Sequence, residues 1–281
     1  MILIIRTVLA GILGLIIGSF LLVIVDRLNT GMSITRGRSI CMSCGRTLGV
    51  MDLIPIFSFL WLRGRCRTCN ATFSWTYPAV EALTALSFVL ISLQGYSLWL
   101  TIVYMAITGM LIPLAVYDLR HLILPDVLTY TLTGLGVVLV AVGAVFPSVG
   151  MVVFGQAWYF HLLAGVIIPL PFWLLWVFSK GRLIGFGDIK LMVPIGILLG
   201  LWQGVSAVVI AFWLGALFVV LMFVKALVQN LWRRIRKKTN VSVFTKKAFS
   251  QQIPFGPFLV LGLWIVLVFQ ISMLDIVQWF L

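Results

Sequence analysis

The chain has 281 residues, 62% of them hydrophobic and only 10% charged, with a mean hydropathy of +1.18. These values exclude a water-soluble globular protein. The formal charge of +13 admits nucleic acid or acidic partners until the placement of the basic residues is known.

Apolar runs long enough to cross about 30 Å of hydrocarbon recur along the chain. They predict about eight spans, near 4–25, 78–94, 98–117, 127–146, 159–178, 189–203, 205–224 and 257–280. The sixth is the shortest. The first is too long for a signal peptide and is followed by no small-residue cleavage site, so it reads as a helix. Gly11, Gly14 and Gly18 in it would make a close-packing face. Pro113, Pro169 and Pro194 are expected to kink their helices. Tryptophan and tyrosine partly mark interfaces, as at Trp158, Tyr159 and Trp279.

The basic residues fall on one side of this layout. Arg27, Arg36, Arg38, Arg46, Arg63, Arg65 and Arg67 lie in loop 26–77, and the run Arg233, Arg234, Arg236, Lys237, Lys238 lies in loop 225–250. Arg120, Lys180, Arg182 and Lys190 occupy 118–126 and 179–190, whereas the segments near 94–97, 147–156 and 203–204 carry no Lys or Arg. Only Arg6 departs. Positive-inside placement then puts the basic loops in the cytosol and both termini outside, and topology rather than nucleic-acid binding explains the charge. The expected organisation is a first helix over 1–25, a cytosolic four-cysteine loop over 26–77 and a membrane core over 78–281 that includes the basic loop 225–250.

All four cysteines fall in the first loop, as Cys41-Met-Ser-Cys44 and Cys66-Arg-Thr-Cys69. Two Cys-x-x-Cys knuckles at this spacing suit a structural, tetrahedral Zn²⁺ with no open position. A reducing cytosol disfavours disulfides; free or redox-active thiols are the alternative. Arg46, Arg65 and Arg67 stand near enough in sequence to offset thiolate charge. A loop of this composition has little apolar material for a core, so a metal would supply what burial does not. Its segment 51–64 is apolar enough to lie against the membrane surface.

Acidic residues are few and sit at span ends. Asp118, Asp126 and Asp188 occupy the cytosolic edge, and Glu81 falls in the first turn of the second span. Ionisable groups near hydrocarbon are costly and point to function. Asp126 follows Pro125 and suits a helix N-cap, and Glu81 suits the positive end of its helix. Asp118 stands at the negative end of its helix, where a carboxylate has no structural reason to be. Asp188 follows Gly185 and Gly187, which allow close backbone approach. Asp118 and Asp188 share a depth and a face. Two carboxylates brought together in a partly dry site hold one proton between them, the chemistry of an aspartic protease. His121 and His161 receive no role.

The block Gly185-Phe-Gly-Asp-Ile-Lys190 is similar to the Gly-x-Gly-Asp motif of membrane-embedded aspartic proteases. With residues 18–28, the paired cysteines, 63–81, 118–126 and 253–262, all in order, the chain resembles the type IV prepilin peptidases. The resemblance implies a bifunctional enzyme of the bacterial inner membrane. It would cleave the basic leader of prepilins or secretion pseudopilins at the cytosolic face, then methylate the new N-terminal amine from S-adenosylmethionine. It makes Asp118 and Asp188 the catalytic pair, with Gly185, Gly187, Lys190, Asp126 and Glu81 supporting. No residues are assigned to S-adenosylmethionine. Leu22 stands where the family has Asn, and Asn29 where many members have Pro; both lie in the region linked to methyl transfer. The basic loops would repel a basic leader and suit topology or anionic lipid instead.

The expected fold is therefore an all-α membrane protein, a polytopic bundle of about eight transmembrane helices with a small cytosolic zinc-binding loop domain. Two other functions remain open: an ion- or proton-coupled transporter using the acids, and a noncatalytic assembly protein whose zinc loop binds partners.

Overall fold

The computed structural model describes residues 1–146, 157–235 and 253–272. The predicted segment 147–156, most of the basic run in 225–250 and the end of the eighth span with Trp279 lie outside the described residues. Among the described residues the chain is helical, with two isolated β-bridges and no strand. Among the described residues six helices are long and apolar enough to cross a membrane, and Gly256–Phe269 is a shorter apolar helix. The chain divides into two units, Met1–Tyr117 and Asp118–Leu281.

In the first unit, α1 (Ile2–Arg27) packs on α3 (Thr76–Leu93). The glycine face explains how. A Cβ on Gly14 would meet Ala85 Cα at 2.6 Å, one on Gly18 would meet Glu81 Cα at 2.8 Å, and one on Gly11 would meet Val89 Cγ2 at 3.2 Å. Small residues thus let the two backbones approach, which in lipid takes the place of a hydrophobic driving force. Arg6, the one basic residue out of pattern, donates from Nη2 to Ser92 O at 2.9 Å and from Nη1 to Tyr96 O at 2.8 Å. It adds donors to carbonyls in the last turn of α3 and in the turn that follows. Between α1 and α3 lies the cysteine loop, with a 3₁₀ turn (Val50–Asp52) and the short α2 (Phe57–Trp61). Val50, Met51, Phe57, Leu60 and Trp61 are exposed, which is the apolar surface expected of 51–64. Helix α4 (Leu98–His121) carries Pro113 and ends in the second unit.

In the second unit α5 (Asp126–Val145), α6 (Trp158–Ile167) and α9 (Gly256–Phe269) pack on α8 (Phe186–Ile235), and α7 (Leu170–Ser179) continues α6. Pro169 separates α6 from α7. The sixth and seventh expected spans are the two arms of α8. The break between them falls at Gly200 (φ 75°, ψ −171°) and not at 203–204. That conformation is open essentially to glycine alone. Small residues again seat the contacts: a Cβ on Gly196 would collide with Ala164, and one on Gly262 with Ala207. Buried His161 lies with Nδ1 3.1 Å from Ile197 O, beside the break. The far arm exposes Trp213, Leu217, Val220 and Leu221, as a lipid-facing helix should.

Candidate active site and metal centre

Asp118 sits three residues before the last residue of α4, His121, and is 4% exposed. Its carboxylate accepts a hydrogen bond from the backbone N–H of Gly256, the first residue of α9. A helix N-terminus aimed at the carboxylate offsets the unfavourable end of α4 on which it stands. A side chain at position 256 is impossible without movement, because a Cβ would collide with Asp118 Oδ2. Sequence reasoning placed Gly256 within the family-like block 253–262 but gave it no role; its local sign is a Gly-Pro pair opening an apolar run.

Asp188 is the third residue of α8, half-buried, with its carboxylate accepting the N–H of Gly185 just before the helix. A Cβ on Gly185 would stand 3.1 Å from Asp188 Oδ2. This is half of a capping box. It holds the carboxylate in the first turn without using its remaining acceptor positions. The surroundings of Asp118 and Asp188 share one neighbour. Leu124 is buried; a Cβ on Gly187 would lie 3.3 Å from its Cβ and one on Gly256 would lie 3.1 Å from its Cδ2. Both glycines are thus filled by the same leucine, which ties the start of α8 to the start of α9.

The expected N-cap role of Asp126 does not hold. Pro125 is the cap residue, Asp126 is the first residue of α5, and no side-chain cap bond forms. The exposed Asp126 carboxylate instead accepts from Lys190 Nζ at 2.7 Å. Lys190 Nζ also lies 5.1 Å from the Phe186 ring centroid and 5.6 Å from that of Tyr130. Glu81 stands in the second turn of α3 and not the first, because the helix begins at Thr76. It is 7% exposed and accepts the N–H of Ile56 at 2.7 Å.

The four cysteines are unlinked, and their Sγ atoms all lie within 4.8 Å of one another. Cys41 Sγ and Cys69 Sγ are 3.8 Å apart. That is the edge of a tetrahedron with metal–sulfur bonds of about 2.3 Å, and far beyond a disulfide bond of about 2.05 Å. The two knuckles repeat one another. Cys41 N–H bonds to Arg46 O and Cys66 N–H to Ala71 O; Gly45 N–H bonds to Cys41 O and Asn70 N–H to Cys66 O. Gly45 (φ 70°) and Asn70 (φ 57°) are both left-handed, the conformation that turns backbone N–H groups toward sulfur. Those of Cys69 and Thr68 pull the Cys66 thiol down to about 6, and those of Cys44 and Ser43 lower Cys41. Cys69, despite the N–H of Ala71, is held up at about 11 by partial desolvation of its thiol and by the neighbouring thiols of Cys44, Cys66 and Cys41. Four crowded thiols do not ionise together without a cation, so the donor set fits a metal ion. Arg46 and Arg67, expected to offset thiolate charge, both pair with Asp52, at 2.8 and 3.1 Å.

Of the two departures, Leu22 is fully buried in α1. Asn29 donates from Nδ2 to Tyr117 Oη at 3.0 Å and has φ 61°. Proline, locked near −65°, has no place on that backbone.

Residues 12–94 match the family model of the bacterial peptidase A24 N-terminal domain, and residues 105–220 match that of the type IV leader peptidase family. Among curated proteins, the chain is 34% identical to a prepilin leader peptidase/N-methyltransferase of Pectobacterium carotovorum subsp. carotovorum, over 90% of this chain and 89% of that one. It is 31% identical to a protein of the same name from Aeromonas salmonicida strain A449, over 87% of this chain and 74% of that one. It is 30% identical to the type 4 prepilin-like proteins leader peptide-processing enzyme of Escherichia coli O78:H11, over 91% of each chain. No solved structure matches significantly. The first match ends one residue after α3 and the second takes in both Asp118 and Asp188, so the two matched regions span the cysteine loop and the carboxylates alike. On this evidence the chain belongs to the type IV leader peptidase family.

Proposed function

We propose that this protein is a membrane-embedded aspartic peptidase that removes the leader from prepilin-like precursors, with Asp118 and Asp188 as the catalytic pair. The observation that carries the assignment is that two carboxylates, from α4 and α8, each accept a backbone N–H, and that Leu124 packs by the glycine beside each, Gly256 and Gly187. One carboxylate takes a proton from water as it attacks the scissile carbonyl; the other, protonated, polarises that carbonyl and later protonates the leaving amine. The pair shares its titration, so the two roles belong to the pair. Gly185 and Gly187 let α8 start close to these groups, and Lys190 with Asp126 braces the start of α8 against that of α5. The basic loops would lie in the cytosol and both termini outside, in the bacterial inner membrane.

The relatives' names support a second activity, N-methylation of the amine that cleavage exposes, with S-adenosylmethionine as donor. Cys41, Cys44, Cys66 and Cys69 would hold a structural Zn²⁺, closing a loop that lacks a core of its own.

The test is a cleavage assay on a prepilin leader substrate with purified wild type, Asp118→Asn and Asp188→Asn. Mass spectrometry of the product, with S-adenosylmethionine present, reads cutting and methyl addition together. Both variants should fold and fail to cut. Cutting by either at the wild-type rate would end the assignment.

A further inference from the structure

Each cysteine knuckle is closed by its own backbone bonds and by one β-bridge, Ile40 to Thr47 in the first and Arg65 to Thr72 in the second. These bonds shape each knuckle but do not make the first face the second. Bringing them together costs the closure entropy of the loop between them, and crowded thiolates repel one another. We propose that Asp52 is a positioning residue of the metal centre: with Arg46 and Arg67 it clasps the two knuckles face to face, so that metal affinity depends on an acid that is not a ligand. This role rests on the metal-site reading above.

Asp52 ends the 3₁₀ turn that lies between the knuckles in sequence, and its side chain is 6% exposed. Its Oδ2 accepts the N–H of Gly49 at 3.1 Å, which ties it to its own turn, and a second bond from Arg46 Nη2 at 2.8 Å. Its Oδ1 faces Arg67 Nη2 at 3.1 Å. Arg46 belongs to the first knuckle and Arg67 to the second, so one carboxylate takes a guanidinium from each. Arg46 also crosses directly, donating from Nη1 to Thr68 Oγ1 at 2.9 Å. At Thr68 the clasp reaches sulfur, because the Thr68 backbone N–H is one of the two aimed at Cys66. A buried acid paired on both oxygens is compensated, and removing either partner leaves charge unpaired. Groups that orient the ligands of a metal without touching it commonly change its affinity by about 10–100-fold.

Charge alone predicts the opposite sign. Thiolates gathered around a divalent cation carry net negative charge, which free guanidinium groups nearby would stabilise. Asp52 neutralises Arg46 and Arg67 instead. If these arginines served charge balance, removing the Asp52 charge would release two cations beside the cluster and strengthen binding. If Asp52 positions the knuckles, the same change weakens binding, although the cluster gains more positive surroundings.

The measurement is the Zn²⁺ affinity of detergent-solubilised full-length protein, by competition with a chelator of known affinity, in wild type, Asp52→Asn and Thr68→Val. Asparagine keeps the shape and an acceptor for the Gly49 N–H while removing the charge. Its affinity should fall at least about tenfold. X-ray absorption at saturating Zn²⁺ should still report four sulfur neighbours, so the ligands are the same and only their placing has suffered. Thr68→Val removes the direct crossing with no change of charge and little of size, and affinity should fall about threefold or more. Unchanged or raised affinity in Asp52→Asn overturns the role. So does Zn²⁺ bound there by fewer than four sulfurs. Should Asp52→Asn take up no Zn²⁺ at all, Thr68→Val decides: a fall supports the clasp, and wild-type affinity overturns it. A wild type that holds Zn²⁺ while the variants match it loses only the clasp. A wild type that binds no metal loses the metal-site reading as well.

Discussion

Gly256 gives its backbone N–H to the carboxylate of Asp118, and it does so at a separation that leaves no room for a side chain. The start of α9 is therefore part of the setting of an acid on α4, although no titratable residue of α9 takes part. Any Cβ at 256 must push either Asp118 or Leu124, whose Cδ2 would be 3.1 Å away.

Gly256→Ala should accordingly lose cleavage by about a hundredfold or more, since displacing a reacting group by about 1 Å has that order of effect. Alanine is the better helix former, so the loss would not come from failure of α9 to form. Steady-state cleavage beside circular dichroism and thermal unfolding would check this. Activity within about threefold of wild type would show that Asp118 does not depend on this contact.

Some of this was legible in the sequence, for physical reasons that differ by residue. Metal coordination fixes local spacing, so Cys41, Cys44, Cys66 and Cys69 announce their cluster. Acids at the lip of an apolar run are costly enough that Asp118 and Asp188 stand out. Gly256 stayed hidden because its meaning lies in a partner from a distant helix, which no local pattern encodes. The same holds for Asp126: Pro125 and a following helix suggested a cap, but its partner Lys190 belongs to α8. The break in α8 was misplaced because Gln203 interrupts the apolar run beside Gly204, whereas Gly200 lies among apolar residues and only its backbone angles mark it. Asp26 and Asp52 drew no reading because both fall in the segment 26–77 read as a cytosolic loop, where charge is cheap, although Asp26 belongs to the last turn of α1; their bonds to Tyr77 and to Arg46 and Arg67 are tertiary.

The two glycines of α8 give a direct comparison. Gly200→Ala forces a side chain into a conformation that costs about 1–3 kcal/mol, and its Cβ would come 3.0 Å from His161 Cε1. Gly204→Ala meets the terminal Cδ1 of Ile168, which can turn aside, and gains helix propensity. Thermal unfolding in detergent should show Gly200→Ala as clearly the more damaging. The reverse order would put the break near 203–204 after all.

Lys190 and Asp126 form an ion pair whose acid is 57% exposed, and its worth should be modest. A double-mutant cycle on unfolding should give a coupling of about 0.2–1 kcal/mol. Lys190→Met should cost more than Asp126→Asn, because it also removes a cation from the faces of Phe186 and Tyr130. Equal costs would assign the whole effect of Lys190 to Asp126.

The cysteine cluster predicts metal content directly. Purified protein should carry one metal ion per chain, and X-ray absorption should report four sulfur neighbours at about 2.3 Å. Replacing Cys41 and Cys66 together by Ser removes one ligand from each knuckle, so the ion should be lost. Cys41 and Cys66 are the buried members of the set while Cys44 and Cys69 are exposed, so loss of the ion should open the loop. Protease sensitivity within 26–77 should then rise sharply, while the helices keep their far-ultraviolet dichroism. Chelation of wild type should produce the same sensitivity and make four thiols reactive. Wild type without metal and with two disulfides would refute the site, because Sγ atoms 3.8 Å apart would have closed into bonds where a tetrahedral ion was expected.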